Sequence, residues 1–206
     1  FMTVTRLFLI RHAEVEARYQ NLFGGRIDMN LSPQGQAQAR VLARHLDQLA
    51  LDAVYASPMK RVQQTLAPWQ NNAAPPAVVL EDLREVDFGD WTDLGWDAVR
   101  ERFGHSAWDW LHHLERGEIP NGETGASFRA RVEPCVRQIM REQPGRNVAI
   151  ACHGGVIRMI LSIVLAMPLV QTASLAVDYA SVTRVGMREP RAELELLNFT
   201  PWRDPL

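Results

Sequence analysis

The chain predicts an α/β fold built on a mainly parallel sheet, and three observations carry that prediction. Short apolar runs, Leu7-Phe8-Leu9-Ile10 and Val148-Ala149-Ile150-Ala151-Cys152, are bounded by polar residues. This is the pattern of strands buried on both faces. Between such runs lie helical patterns, which imply parallel neighbours in the sheet. The two runs also end alike, in Arg11-His12 and in His153-Gly154-Gly155. Ligands bind beyond the carboxyl ends of strands in open α/β sheets, so these histidines stand where chemistry is done. Taken alone, Arg11-His12 reads equally well as a strand-end charge pair.

The elements follow in order. After His12 comes a polar loop from Glu14 to Leu31, with Gly24-Gly25 in its middle. Ser32-Pro33 reads as an N-cap and a proline at the first helical position. Ala37, Val41, Leu42, Leu46 and Leu49 recur at helical spacing, predicting an amphipathic helix over 33–50. Asp52 to Ala56 is a short strand, broken by Ser57-Pro58, which open a helix with Lys60, Arg61, Gln64 and Thr65 in its first turns. Asn71 to Pro76 is a loop, and Val78 to Leu80 a strand. Leu83 to Trp91 follows, with Glu85 among apolar residues and Gly89 permitting a tight bend. The stretch 93–122 reads as a helical insertion, with helices at about 94–103 and 106–116. It is dense in tryptophan, and most of these rings are expected to pack the insertion on the core. His112-His113 lack the i, i+4 metal spacing and read as surface residues. A long helix over 127–142, the strand 148–152, a core helix 156–167 and strands at 181–187 and 193–199, joined around Glu189-Pro190, complete the chain.

Composition narrows the function. The 206 residues suit a single domain, and 47% hydrophobic with 22% charged residues is ordinary for a globular chain. A net charge of -2 and a pI near 6.3 leave no global basic footprint for nucleic acid or anionic membranes. The most apolar helix is too short to span a bilayer and contains Arg158. Two cysteines, Cys135 and Cys152, form no disulfide framework, and no Cys/His spacing reads as a zinc site. A cytoplasmic location is expected, and a homodimer is left open.

Parallel strands bring their carboxyl ends to one edge. That edge would gather Arg11, His12, Arg61 and His153, with Glu85 on a neighbouring loop. Two arginines and two histidines around one point make an oxyanion site, because the planar guanidinium matches phosphate oxygens and stays charged.

These motifs together resemble the histidine phosphatase superfamily, in its phosphoglycerate mutase-like branch. Its Arg-His-Gly-Glu is similar to Arg11-His12-Ala13-Glu14, and its Asp-x-x-Leu-Ser/Thr-x-x-Gly to Asp28 through Gly35. Its Ser-Pro-x-x-Arg-x-x-Gln-Thr matches Ser57 through Thr65, and its Leu-x-Glu-x-x-Phe-Gly-x-Trp matches Leu83 through Trp91. Gly122-Glu123-Thr124 resembles its Gly-Glu-Ser turn, and His153-Gly154-Gly155 its His-Gly-Gly. The matches run in family order from residue 7 to about 160.

The resemblance implies a single three-layer α/β/α domain over 1–206 and a metal-independent phosphomonoesterase needing no cofactor, acting on a small phosphorylated substrate. It implies that His12 attacks phosphorus as a neutral imidazole, that Arg11, Arg61 and His153 hold the phosphoryl oxygens, and that Glu85 protonates the leaving oxygen. Gly24 and Gly154 are expected to line the substrate site. Ala13 stands where the family has glycine, so the backbone there is expected not to need positive φ. Arg18 stands where the family often has asparagine, and either Arg18 or Asn21 is expected to take that place. The loop from Phe23 to Ser32 looks somewhat like that of α-ribazole phosphatases, with broad specificity equally open. The alternatives are a cofactor-dependent phosphoglycerate mutase, a cysteine phosphatase reading Cys152 to Arg158 as Cys-x5-Arg, and a non-catalytic binder of phosphorylated ligands.

Overall fold

The computed structural model describes residues 4–70, 74–188 and 191–204. The elements run β1 (Thr5–Arg11), α1 (Pro33–Asp47), β2 (Ala53–Ala56), α2 (Lys60–Gln70), β3 (Ala77–Val79), α3 (Trp96–Phe103), α4 (Trp110–Arg116), α5 (Gly125–Glu142), β4 (Asn147–Cys152), α6 (Gly154–Val164), β5 (Val182–Arg188) and β6 (Arg191–Phe199). Six strands form one sheet in the order β3-β2-β4-β1-β5-β6. The first four are mutually parallel, and β5 and β6 are antiparallel additions at one side.

Alternation along β1 divides the core. Leu7 and Leu9 face a cluster with Phe128, Val132 and Ile139 of α5 and Ile157 and Ile160 of α6. Phe8 and Ile10 face Leu42 and Leu46 of α1 and Val62 and Leu66 of α2. Helices therefore cover both faces, giving the three-layer α/β/α arrangement. The helices α3 and α4 join the α5–α6 layer through Val99, Leu111 and Leu114.

Local chemistry sets the element ends. Ser32 caps α1 by accepting from the Gly35 N–H, with Pro33 at the first position. The helix stops at Asp47 rather than 50, where the Gln48 N–H turns back to His45. Thr124 and Ser127 form a reciprocal capping box, so α5 begins two residues earlier than its apolar face suggests. The helix α6 likewise starts at Gly154, not 156, with His153 as its N-cap residue. Asn71 and the Glu189-Pro190 joint lie outside the described residues.

Register matters most for function. Arg11 pairs with Cys152 across the β1–β4 ladder, so His12 and His153 leave the sheet side by side. Ala56 pairs with Ala151, and the Ser57 N–H donates to the Ala151 carbonyl, which brings the start of α2 to the same edge.

Candidate active site

His12 is held by its backbone and by one ring nitrogen. Its N–H donates to the Cys152 carbonyl, and its own carbonyl accepts from Ala180. Its Nδ1 lies 2.8 Å from the Ala13 carbonyl. A carbonyl only accepts, so Nδ1 carries the proton and Nε2 holds the lone pair. Nε2 has no partner among the described residues. Ala13 is in turn fixed by Thr65, whose hydroxyl accepts from the Ala13 N–H at 2.9 Å and donates to the Arg61 carbonyl at 2.7 Å. The Ala13 backbone stays out of the positive-φ region, as expected for a residue standing in glycine's place. Burial, then the charges of Arg61 and Arg11, push the His12 pKa well below its ordinary value. The ring is therefore neutral.

His153 sits next to it, with ring centroids 5.3 Å apart. Its Nδ1 accepts from Arg61 Nε at 3.1 Å, which leaves Nε2 to donate to the Ser57 hydroxyl at 2.8 Å. Burial and then Arg61 also keep its pKa well below the usual value. Arg61 is almost fully buried, at 2% exposure. Its other nitrogens donate to the carbonyls of Ile27 and Gly25, both at 2.8 Å. Burial lowers its pKa to about 10, so it remains charged.

Arg11 donates to the Val177 carbonyl at 2.6 Å and lies 4.2 Å over the ring of Tyr179. Its Nε is buried without a protein partner among the described residues. Arg158 of α6 reaches under the same loop. It donates to the carbonyls of Thr172 and Leu175 and borders the pocket.

Glu85 closes the ring of groups. Its two oxygens accept from the backbone of Val86 at 2.9 Å and of Gly155 at 3.2 Å. The second contact needs glycine, since a Cβ at 155 would lie 2.5 Å from Glu85 Oε1. Behind Glu85 stands Arg131 of α5. It forks onto Glu123 at 2.6 and 2.9 Å and also donates to the carbonyls of Asp82, Arg84 and Glu85. Glu123 and Asp87 exchange a further pair of bonds, Glu123 Oε2 accepting from the Asp87 N–H. The segment bearing Glu85 is thus clamped chiefly by the Arg131–Glu123 pair, with Arg26 a more distant second cation at 3.6 Å from Glu123.

Arg11, His12, Arg61 and Glu85 line a cavity of about 220 Å³ that also touches Gly24, Gly154, Phe88, Trp110 and Tyr179. His153, expected to hold phosphoryl oxygens, instead stands behind this lining, fully buried with both ring nitrogens engaged by Arg61 and Ser57. Arg18 and Asn21 stand apart from it. Both are exposed, and Arg18 folds onto its neighbour Tyr19. Tyr19 and Leu22 border the pocket in their place. Of the tryptophans, Trp91 is fully buried, Trp110 reaches the pocket, and Trp108 is 80% exposed. His113 is not a surface residue as expected: it is half-buried, 2.6 Å from Glu118. Cys152 is fully buried and burial raises its pKa, which removes the thiolate that a Cys-x5-Arg site requires. Arg131, Tyr179 and Ser57 were not singled out from the sequence as site residues. For Ser57 and Glu123, the motifs containing them were a usable signal. Arg131 is one of four arginines on α5, and no local signal in the sequence sets it apart.

The chain is similar to known proteins over nearly its full length. It is 29% identical over 198 residues to "Phosphoserine phosphatase 1" of Hydrogenobacter thermophilus, covering 96% of this chain and 93% of that one. It is 33% identical over 167 residues to a 2,3-bisphosphoglycerate-dependent phosphoglycerate mutase of Methylobacterium radiotolerans, covering 76% and 77%. Among solved structures, the α-ribazole phosphatase of Shigella flexneri superposes with a TM-score of 0.82 at 26% identity, covering 95% and 96%. The model of the histidine phosphatase superfamily (branch 1) matches residues 7–200, which hold both strand-end histidines. The chain belongs to that superfamily, as a phosphatase.

Proposed function

We propose that the protein hydrolyses phosphomonoesters of small metabolites through a phosphohistidine on His12. The carrying observation is the state of that ring: neutral, with Nδ1 pinned by the Ala13 carbonyl and Nε2 free. In the first step Nε2 donates its lone pair to phosphorus, and the bond from phosphorus to the ester oxygen breaks. Glu85 gives its proton to that oxygen, and the alcohol leaves. The positive charge gained by the imidazole is stabilised by the Ala13 carbonyl on Nδ1. In the second step Glu85 takes a proton from water as the water oxygen attacks phosphorus. The phosphorus–nitrogen bond breaks and neutral His12 is restored. Arg11 and Arg61 bind the phosphoryl oxygens and stabilise the charge of both transition states, with His153 Nδ1 fixing the Arg61 fork and Gly24 and Gly154 in the wall. No step calls for a metal or cofactor.

The alcohol portion of the substrate meets Phe88, Trp110 and Tyr179, which suits a group with apolar or ring character. Phosphoserine and α-ribazole phosphate are the compounds to test first, alongside a panel of sugar phosphates. No helix among the described residues is long and apolar enough to cross a membrane. A reducing cytoplasm suits two buried free thiols.

Rapid quench with labelled substrate tests the mechanism. An acid-labile phosphoenzyme should form in the wild type, be absent in His12→Ala, and persist in Cys152→Ser. An inactive serine variant beside an active alanine variant would overturn it. The similarity to a mutase supports a second reading, so 3-phosphoglycerate should be assayed with and without its bisphosphate. Exchange faster than phosphate release would make the protein a mutase.

A further inference from the structure

We propose that His105, His113 and Glu118 form a zinc site in the helical stretch between β3 and α5, outside the catalytic pocket. Two left-handed glycines build it. Gly104, at φ 71°, ends α3 and sends the chain to His105. Gly117, at φ 68°, ends α4, and the Glu118 N–H then donates back to the His113 carbonyl at 2.9 Å. These two reversals bring residues flanking α4 onto a histidine within it.

The donor atoms of the three side chains all lie within 4.8 Å of one another, and all three residues are half-buried. The imidazoles of His105 and His113 are 4.2 Å apart between centroids, tilted by 49°. His113 Nδ1 is 2.6 Å from Glu118 Oε2. His105 has no hydrogen-bond partner among the described residues, only ring contacts with His113 and Trp91. Trp91 supplies a buried floor, its ring 6.0 Å from His105 and 5.6 Å from His113.

Two imidazoles and one carboxylate are a zinc donor set that leaves a fourth position for water. Bonds of about 2.1 Å in a tetrahedron place the donor atoms about 3.4 Å apart. Reaching that spacing opens the His113–Glu118 contact by somewhat less than 1 Å and draws His105 inward, movements within side-chain reach. The Nδ1 proton now shared with Glu118 passes to Nε2 of the same ring, and zinc takes its place. The opposing group is Arg116, whose Nη1 lies 3.9 Å from Glu118 Oε1. Its side chain is 67% exposed and free to turn outward. Bound zinc would tie the link after α3 to the end of α4, whose first residue, Trp110, reaches the pocket.

The test is equilibrium dialysis of untagged protein against micromolar zinc, with metal content and Tm as readouts. Wild type should bind one equivalent and melt about 5 °C or more higher with excess zinc. His105→Ala and Glu118→Gln should each weaken binding at least ten-fold and lose the Tm rise, while near-UV circular dichroism without zinc stays unchanged. Arg116→Ala should bind more tightly, and His12→Ala should bind as wild type does. Substoichiometric zinc in the wild type would overturn the site, as would undiminished binding in both ligand variants. Loss of zinc in His12→Ala alone would move the metal to the phosphate pocket and equally refute the proposal.

Discussion

Replacing Arg131 by alanine should separate the positioning of Glu85 from the rest of catalysis. Arg131 makes two bonds to Glu123 and three to the carbonyls of Asp82, Arg84 and Glu85. Both charges are largely shielded, at 15% and 12% exposure. Breaking a fully buried pair costs about 3–5 kcal/mol, and residual exposure reduces this to about 2–3 kcal/mol here. In a chain of this size that lowers Tm by about 5–10 °C. The catalytic effect is separable. With its clamp gone, the segment 82–87 drifts, and a displacement of about 1 Å at a catalytic group costs about 100-fold. Glu85 matters in the first step only if the leaving oxygen needs a proton. The quantity to measure is therefore kcat/KM, which reports phosphoryl transfer to His12 and not the later hydrolysis. An alkyl phosphate should lose about 100-fold, and p-nitrophenyl phosphate, whose leaving oxygen is weakly basic, less than about ten-fold. Equal losses on both substrates, well below the variant's melting temperature, would refute the claim that Arg131 acts through Glu85.

Acid should destabilise the fold early. His12 and His153 stay neutral when folded, with pKa values below the ordinary one, so the unfolded chain binds the extra protons. Stability is complete above about pH 6.5 and falls by up to about 2.7 kcal/mol per unit as pH drops below it. Urea midpoints at about pH 7 and about pH 5.5 check the slope, which His12→Gln should reduce by about half of this contribution. Gly155→Ala drives a methyl to 2.5 Å from Glu85 Oε1 and 2.9 Å from Val86. It should cost about 1–3 kcal/mol and displace Glu85, read as a kcat fall of at least ten-fold; near-wild-type turnover would count against the contact. Trp110→Ala should raise KM several-fold for substrates carrying a ring, whereas Trp108→Ala, at an 80% exposed position with its ring tilted against Trp96, should leave KM unchanged.

The parts of this site that the sequence discloses are those carried by the ends of strands. His12, His153 and Arg61 follow directly on apolar runs or a Ser-Pro break, and the parallel register forces them to one edge. Glu85 was legible through its motif. What escaped depends on long-range geometry. Arg131 lies 46 positions from Glu85 in the chain, on a helix whose other arginines, such as Arg137, pair locally with Glu133. No periodicity distinguishes the two. Arg18 was misplaced because a short 3-10 turn over Ala17–Tyr19 lays its guanidinium on Tyr19. The trio of His105, His113 and Glu118 was invisible for a similar reason: its spacing is set by two helix ends, not by one helix face.

Two of the arginines lining the pocket, Arg61 and Arg11, explain why so small a cavity can be selective for a phosphoryl group. A guanidinium has five N–H donors. Arg61 uses three, on His153, Ile27 and Gly25, and keeps two. Arg11 uses one on Val177 and rests its plane on Tyr179. The bonds already made fix each fork before substrate arrives, and the remaining donors need no reorganisation to meet phosphoryl oxygens. The same bond from Arg61 to His153 Nδ1 occupies the second histidine fully, since its Nε2 is engaged by Ser57. One arginine thereby orients the anion, shapes the loop through Gly25 and Ile27, and leaves His12 as the histidine with a free lone pair. That division follows from which ring nitrogens are engaged, not from any difference in charge, because both rings are neutral.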